Sequence, residues 1–432
     1  MTRKAIVWFK TDLRLHDNET LLRAVAENDE IIPVYCFDEA HYRRTEFGFQ
    51  KTGSFKASFI LEALWDLDLQ LREKKSGLII LHGNPASELY KLAKEWGVQK
   101  VYAKKEVGFE EKETEEAVEK ELWKAHCTFE KYSTSTLYHA QDLPFSIKDI
   151  PDIFTVFRNK TEKESSIRSA VPAPELIPSV SIPSLKLPAL SQLGLPLVTA
   201  DTRRVIKSQG GETSGYLRLQ HYFYESKAIA TYKKTRNGLL GEDYSTKFSP
   251  WLALGCLSPR YIYEELKKYE TNHGANDSTY WLVFELLWRD YFRFMMKKYG
   301  HKFFLQNGIK NNKPNLQTHN QEALYKWVNG QTGNDFIDAN MIELKLTGFM
   351  SNRGRQNVAS YLCNDLKLDW RYGAAYFEQQ LIDYDPSSNW GNWAYLAGVG
   401  NDPRSDRYFN TEKQAANYDP KKTYQNLWLQ KN

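Results

Sequence analysis

The hydrophobic period of this chain changes once along its length, and that change leaves few architectures open. Up to about residue 135, short β-branched or aromatic runs alternate with amphipathic segments. The runs are Ala5–Phe9, Ile31–Phe37, Leu78–Leu81, Lys100–Ala103 and Thr128–Tyr132. Between them lie Asp17–Glu27, Ser54–Lys75, Pro85–Trp96 and Glu110–Ala125. Strand–helix alternation implies parallel strands joined by right-handed crossovers, so residues 1–135 read as an α/β domain with a five-stranded, doubly wound parallel sheet. No GxGxxG follows the first strand. It runs instead into Lys10-Thr-Asp-Leu-Arg-Leu-His-Asp-Asn18, at the edge where such sheets take ligands. A charged loop there serves either as a binding edge or as a solvated turn and helix cap.

Over residues 136–205 the pattern dissolves. Pro172, Pro174, Pro178, Pro183, Pro188 and Pro196 punctuate Ser-rich sequence, which reads as a long connector wrapped over the surface. From Gly210-Gly-Glu-Thr213 onward, with Thr213 as a helix cap, only the helical period remains, so residues 206–432 read as an all-helical domain.

Composition excludes several classes. Hydrophobic content of 41% and charged content of 26% belong to a globular protein, while a net charge of +4 excludes a polycation that coats nucleic acid along its whole surface. Cys36, Cys127, Cys256 and Cys363 lie far apart without a Cys/His cluster, so buried free thiols are expected, with no disulfide framework and no metal. No window offers the roughly 20 apolar residues of a membrane span; a cytoplasmic monomer is the expectation. Twelve Trp, 26 Tyr and 22 Phe make up 14% of the chain, which fills cores and also suits stacking on flat rings.

Charged and aromatic residues interleave most densely in Thr347–Asn357, Asp369-Trp-Arg371 and Asp383–Tyr395, which suggests a polar, π-rich pocket built from helices. Upstream, Trp281 and Trp288 are seven apart and share a helix face, with Glu285 and Arg289 at i,i+4 between them. That pair is either a surface ion pair or part of a pocket wall. Asn352 and Gln356 repeat the same spacing beside Arg355.

These segments, with Asn237–Gly255 and the 10–18 loop, resemble the photolyase/cryptochrome family in the right order along nearly the whole chain. Gly348–Gln356 and Asn389–Tyr395 are most similar to its DASH cryptochromes. The resemblance implies FAD held in the helical domain. Tyr232, Ser245, Thr246, Lys247, Phe248, Ser249 and Arg289 would line it, Arg355 and Asp383 would pair against the ring, Asp385 would lie near its polar edge and Asn389 would face N5. It further implies light-driven repair of cyclobutane pyrimidine dimers: Glu285 and Asn352 hydrogen-bond the dimer, and Trp288 and Tyr395 form its aromatic walls. Tyr395 and Gln356 stand where dimer photolyases of duplex DNA carry Trp and Met, which points to damaged single-stranded or looped DNA. Neither Asn352 nor Gln356 is His, against a (6-4) enzyme. Arg353, Arg404 and Arg407 would clamp phosphates. Trp393 and Trp370 match the inner members of an electron-transfer chain whose outer position is Gln317 here, leaving Tyr325 and Trp390 as alternative exits. Glu106 matches the acid that binds a methenyltetrahydrofolate antenna. The competing implication is a blue-light photoreceptor with little or no repair activity.

Overall fold

The computed structural model describes residues 2–311, 320–402 and 408–430. Gln317, Arg404 and Arg407 lie outside the described residues.

Five strands, β1 (Lys4–Phe9), β2 (Glu30–Phe37), β3 (Ile79–His82), β4 (Lys100–Lys104) and β5 (Thr128–Tyr132), form one sheet in the order β3-β2-β1-β4-β5. Every pairing is parallel, with Ile6 opposite Ile32 on one side and opposite Val101 on the other. Helices α1 (Glu19–Glu27) and α2 (Ser54–Glu73) cover one face; α3 (Pro85–Trp96) and α4 (Phe109–Trp123) cover the other. Alternation along β1 serves both: Ala5, Val7 and Phe9 enter one core, Ile6 and Trp8 the other. The helices change face between β1 and β4. At such a switch point the loops after adjacent strands diverge and leave a crevice.

The connector does more than wrap the surface. It contains a helix, α5 (Phe154–Glu164), and buries Leu137, Ile150, Phe154, Phe157 and Ile177 in the main core. Asp290 fixes its start by accepting the backbone N–H groups of Leu137 at 3.0 Å and Tyr138 at 2.9 Å. Prolines and short apolar runs conceal this helix because its first turn is anchored by long-range packing.

The remainder is helical. It begins with α6 (Glu212–Gln220), α7 (Tyr232–Thr235), α8 (Ser249–Leu254), α9 (Pro259–His273) and α10 (Asp277–Tyr299). Next come α11 (Gln321–Val328), α12 (Asp335–Thr347), α13 (Asn352–Ser360), α14 (Trp370–Gln380) and α15 (Pro386–Leu396). Two short helices, α16 (Thr411–Tyr418) and α17 (Thr423–Leu429), close the chain. Thr213 is not the cap of α6: Gly211 holds that position, and the Asp66 carboxylate accepts the Thr213 N–H at 3.2 Å.

The 10–18 loop is not a solvated turn: Asn18 does cap α1 by accepting the Leu21 N–H at 3.1 Å, Lys10 and Thr11 line a cavity, and most of the rest is spent on long-range bonds. Arg14 donates to the carbonyls of His16, Asp17, Thr134 and Gly255, and buried Asp17 pairs with Arg260 and Ser258. Glu212 accepts from the N–H groups of Leu15 and His16. The loop is thus a polar latch between the sheet and the helices. Gly255 is required by it, with φ at +69° and a position where a Cβ would stand 2.2 Å from the Thr11 carbonyl oxygen. All four cysteines are buried and unpaired.

Candidate functional site

Residues from seven helical-domain segments converge on a cleft of about 430 Å³. α10 contributes Glu285, Trp288 and Arg289; α13 contributes Asn352, Arg355 and Gln356; Asp383 and Asp385 precede α15, which contributes Tyr395. Tyr232, Thr246, Phe248 and Ser249 close another side. Two adjoining chambers share Asn352, Arg355 and Asp383 with it. One, of about 220 Å³, is lined by Ser245 and Lys247; the other, of about 110 Å³, by Asn389 and Trp393.

Arg355 holds Asp383 through one nitrogen, Nη2 donating to both carboxylate oxygens at 3.0 and 2.8 Å, while its Nε donates to the Met350 carbonyl. Asp385 caps α15 through the Ser388 N–H at 2.8 Å. Its carboxyl is held below the usual range: burial would raise it, but Arg293 and Arg289 outweigh that effect. Asn389 donates to the Ala374 carbonyl at 2.9 Å, which ties its amide to α14. Arg218 positions the 245–249 turn by donating to the carbonyls of Ser245, Thr246 and Glu242 and pairing with Asp243.

Among the described residues lining these chambers, three buried polar atoms lack a hydrogen-bond partner: the Tyr244 hydroxyl, Lys247 Nζ and Gln356 Oε1. Burial drives Lys247 far below its ordinary pKa, with Glu343 opposing the shift, and its Nζ sits against the rings of Tyr244 and Phe349. A buried Lys with no hydrogen-bond partner suits an anion, which would restore its charge, and a diphosphate meets that need.

The i,i+4 spacing of Glu285 and Arg289 does not produce their pairing. Glu285 pairs with Arg236, just after α7, at 2.8 Å. The Arg289 guanidinium donates instead to the carbonyls of Ser135 and Leu252. Burial pushes the Glu285 carboxyl up and Arg236 opposes the shift. Trp281 stacks on Phe284 at 4.5 Å, outside the cleft lining, whereas Trp288 stacks face to face on Phe154 at 3.6 Å. Tyr395 meets Trp288 edge-on, with centroids 6.0 Å apart and planes at 80°. Arg353 donates to the Asn237 side chain and lies over Tyr418 at 4.6 Å.

Trp393 contacts Phe377 at 5.1 Å and Trp327 at 6.2 Å; Trp370 contacts Trp390 at 5.7 Å. Gly373, one turn after Trp370, packs so closely on the Trp393 ring that a Cβ would come within 2.2 Å of it. Of the two alternative exits, Tyr325 is exposed and Trp390 is buried.

Glu106 is not a surface acid. It lines a second cavity, of about 140 Å³, at the switch point between the sheet and the helical domain, with Lys10, Thr11, Lys56, Glu378 and Tyr384. Thr11 donates to its carboxylate at 2.9 Å, and Lys104 and Arg293 lie 3.1 and 3.5 Å away. Burial acts to raise this carboxyl, but Lys104, Lys10 and Arg293 hold it down at about 2.

Phe154, Arg218, Arg236 and Arg293 escaped the sequence reading. Only Arg293 carried a signal: it lies four residues beyond Arg289, on the same helix face.

A doubly wound parallel sheet followed by a helical half whose cleft carries a buried Lys247 suited to an anion narrows the class of protein, and comparison with known proteins specifies which. Residues 5–177 match the DNA photolyase family model and residues 281–431 the model for the FAD binding domain of DNA photolyase. The chain belongs to the photolyase/cryptochrome family. Cryptochrome DASH of Synechocystis sp. is 49% identical over 426 residues, covering 98% of this chain and 87% of that protein. The crystal structure of the Synechocystis cryptochrome superposes with a TM-score of 0.95 at 48% identity, covering 99% of this chain and 89% of that one. A class III photolyase of Agrobacterium tumefaciens matches at 0.85 and 25% identity, covering 99% and 86%.

Proposed function

We propose that the protein repairs cyclobutane pyrimidine dimers in single-stranded or looped DNA, using light absorbed by FAD bound in the helical domain. One observation carries the reading. Glu285, Asn352, Trp288, Gln356 and Tyr395 line the same cleft as Arg355, Asp383 and Asp385, so substrate and cofactor groups face one volume.

FAD, when bound and reduced, supplies the photoexcited electron. The chain holds it and sets its surroundings. Lys247 and the hydroxyls of Ser245, Thr246 and Ser249 take the diphosphate, with Arg218 fixing that turn. Tyr232, Phe248 and Arg289 contribute further walls. Arg355 and Asp383 pair against the ring. Asn389 offers a neutral amide, which does not oppose the negative charge of the reduced cofactor as a carboxylate would.

Glu285, raised by burial and held by Arg236, hydrogen-bonds the dimer together with Asn352. Trp288 and Tyr395 bracket it, and Arg353 with Arg404 and Arg407 engages phosphates. Base-flipping enzymes, photolyases among them, spend a few kcal/mol on extruding a base. Tyr and Gln at positions 395 and 356 return less stacking energy than Trp and Met. The cleft therefore favours bases that are already unpaired. Trp393, which lines the chamber with Asn389, and Trp370 would pass electrons inward to the cofactor. Glu106 holds a methenyltetrahydrofolate antenna in the switch-point cavity.

The test is dimer loss from single-stranded DNA under blue light, with reduced protein, for wild type and Glu285→Ala. Light-dependent loss that the substitution weakens supports repair. No loss in wild type rejects it and leaves blue-light sensing as the better reading. Equal quantum yields on single-stranded and duplex substrate reject the strand preference alone.

A further inference from the structure

The two cavities share Asp385 and Ala253 in their linings, and Arg293 ties Asp385 to Glu106. Arg293, on α10, places Nη1 2.5 Å from Asp385 Oδ2 and Nη2 3.5 Å from Glu106 Oε2. Asp385 borders both the flavin cleft and the switch-point cavity, whereas Glu106 borders the switch-point cavity and not the cleft. All three groups are buried, so water screens little of their interaction. Asp385 also caps the helix that carries Asn389 and Trp393. A shift of its carboxylate therefore acts on the first turn of α15.

We propose that Arg293 couples the switch-point cavity to the flavin pocket, so that the charge and occupancy of Glu106 set the electrostatics around the cofactor. The inference rests on the flavin reading above. When Glu106 is ionised, one guanidinium is shared between two carboxylates. When a ligand takes up the Glu106 carboxylate, or the charge is removed, the fork is left to Asp385 alone. Asp385 is then better neutralised, and the flavin pocket becomes more hospitable to negative charge. By linkage the effect is reciprocal: reduction of the cofactor alters the affinity of the switch-point cavity for its ligand. Arg is required because a planar fork reaches two carboxylates at once, which a single ammonium cannot do.

The test is a double-mutant cycle on FAD-reconstituted, folate-free protein with Glu106→Gln and Arg293→Lys, the Lys retaining the charge so that the fold is kept. The readouts are the flavin midpoint potential and the FAD dissociation constant. Glu106→Gln is expected to raise the potential and tighten FAD by about fivefold or more in wild type. In the Arg293→Lys background most of that change should vanish. Equal effects in both backgrounds would mean that Glu106 acts through space, and would overturn the coupling while leaving the flavin reading intact. A wild type that takes up no FAD would overturn the flavin reading and the coupling with it.

Discussion

Phe154→Ala is the sharpest perturbation of the substrate wall, because it removes a residue that touches Trp288 but does not line the cleft itself. Phe154 is 6% exposed and stacks on Trp288 at 3.6 Å with an interplanar angle of 14°. It also meets Phe284 at 5.3 Å and Tyr291 at 5.5 Å, both edge-on. Truncating a buried Phe costs about 3–5 kcal/mol. Water can enter from the adjoining cleft, so about 3 kcal/mol is the appropriate figure, and roughly 1 kcal/mol of it belongs to the Trp288 stack. The loss should appear as a lower urea midpoint with an unchanged slope. The functional consequence is separate. A base stacked on an aromatic ring gains about 1–3 kcal/mol, but only if that ring is already held in place. Freed from its backing, Trp288 should surrender about half, or about 1 kcal/mol, roughly a fivefold weakening of affinity for a dimer-containing single strand. Phe154→Leu, which fills most of the volume, should lose only about 1 kcal/mol of stability. Binding is measured by fluorescence anisotropy under conditions where each variant remains folded. Undiminished affinity in a destabilised Phe154→Ala variant would refute the argument, since α10 alone would then suffice to orient Trp288.

Three further outcomes follow from the geometry. Gly373→Ala drives a methyl into the Trp393 ring, and should cost about 1–3 kcal/mol of stability and slow light-driven flavin reduction; an unchanged rate would place Trp393 off the path. Asn389→Asp adds a negative charge near Asp383 and Asp385, and should lower the flavin midpoint potential by on the order of 30 mV, read by spectroelectrochemistry. Burial pushes the Glu343 carboxyl up to about 7 from an ordinary value of 4.5, against the Tyr424 hydroxyl, Lys247 and Arg355. The folded state thus keeps a proton that the unfolded chain releases, so its contribution is complete below about 4.5 and is lost as pH rises through about 7. Glu343→Gln should remove up to about 3 kcal/mol of that decline, seen by comparing urea unfolding of wild type and variant at both ends of the window. Identical pH slopes would refute it.

Period-based reasoning succeeds where contacts are local and fails where they are not. The five strands and the alternation on β1 are written in residues that neighbour one another, and the sheet follows. The cleft lining is legible for a related reason: Asn352, Arg355 and Gln356 fall on one short helix, and Asp383, Asp385 and Asn389 crowd the start of another.

What the sequence conceals is the choice of partner. Glu285 and Arg289 have the spacing of an ion pair, yet each bonds elsewhere, because the fold offers better geometry at a distance. Arg236 arrives from 49 positions upstream to take the carboxylate. Arg289 turns inward to the backbone carbonyls of Ser135 and Leu252. An exposed i,i+4 pair gains only about 0.3–0.5 kcal/mol, too little to hold either side chain against such alternatives. The same inequality explains the 10–18 loop. Its charges are those of a solvated turn when read alone, but Arg14 makes four hydrogen bonds to carbonyls, one of them from a residue 241 positions away. Buried polar groups are costly unless fully partnered, so once the two domains meet, long-range pairing outranks any local pattern. Arg293 is the extreme case: its position on α10 marks it as one more inward-facing residue, and only the folded chain reveals that its two nitrogens reach two carboxylates from distant segments.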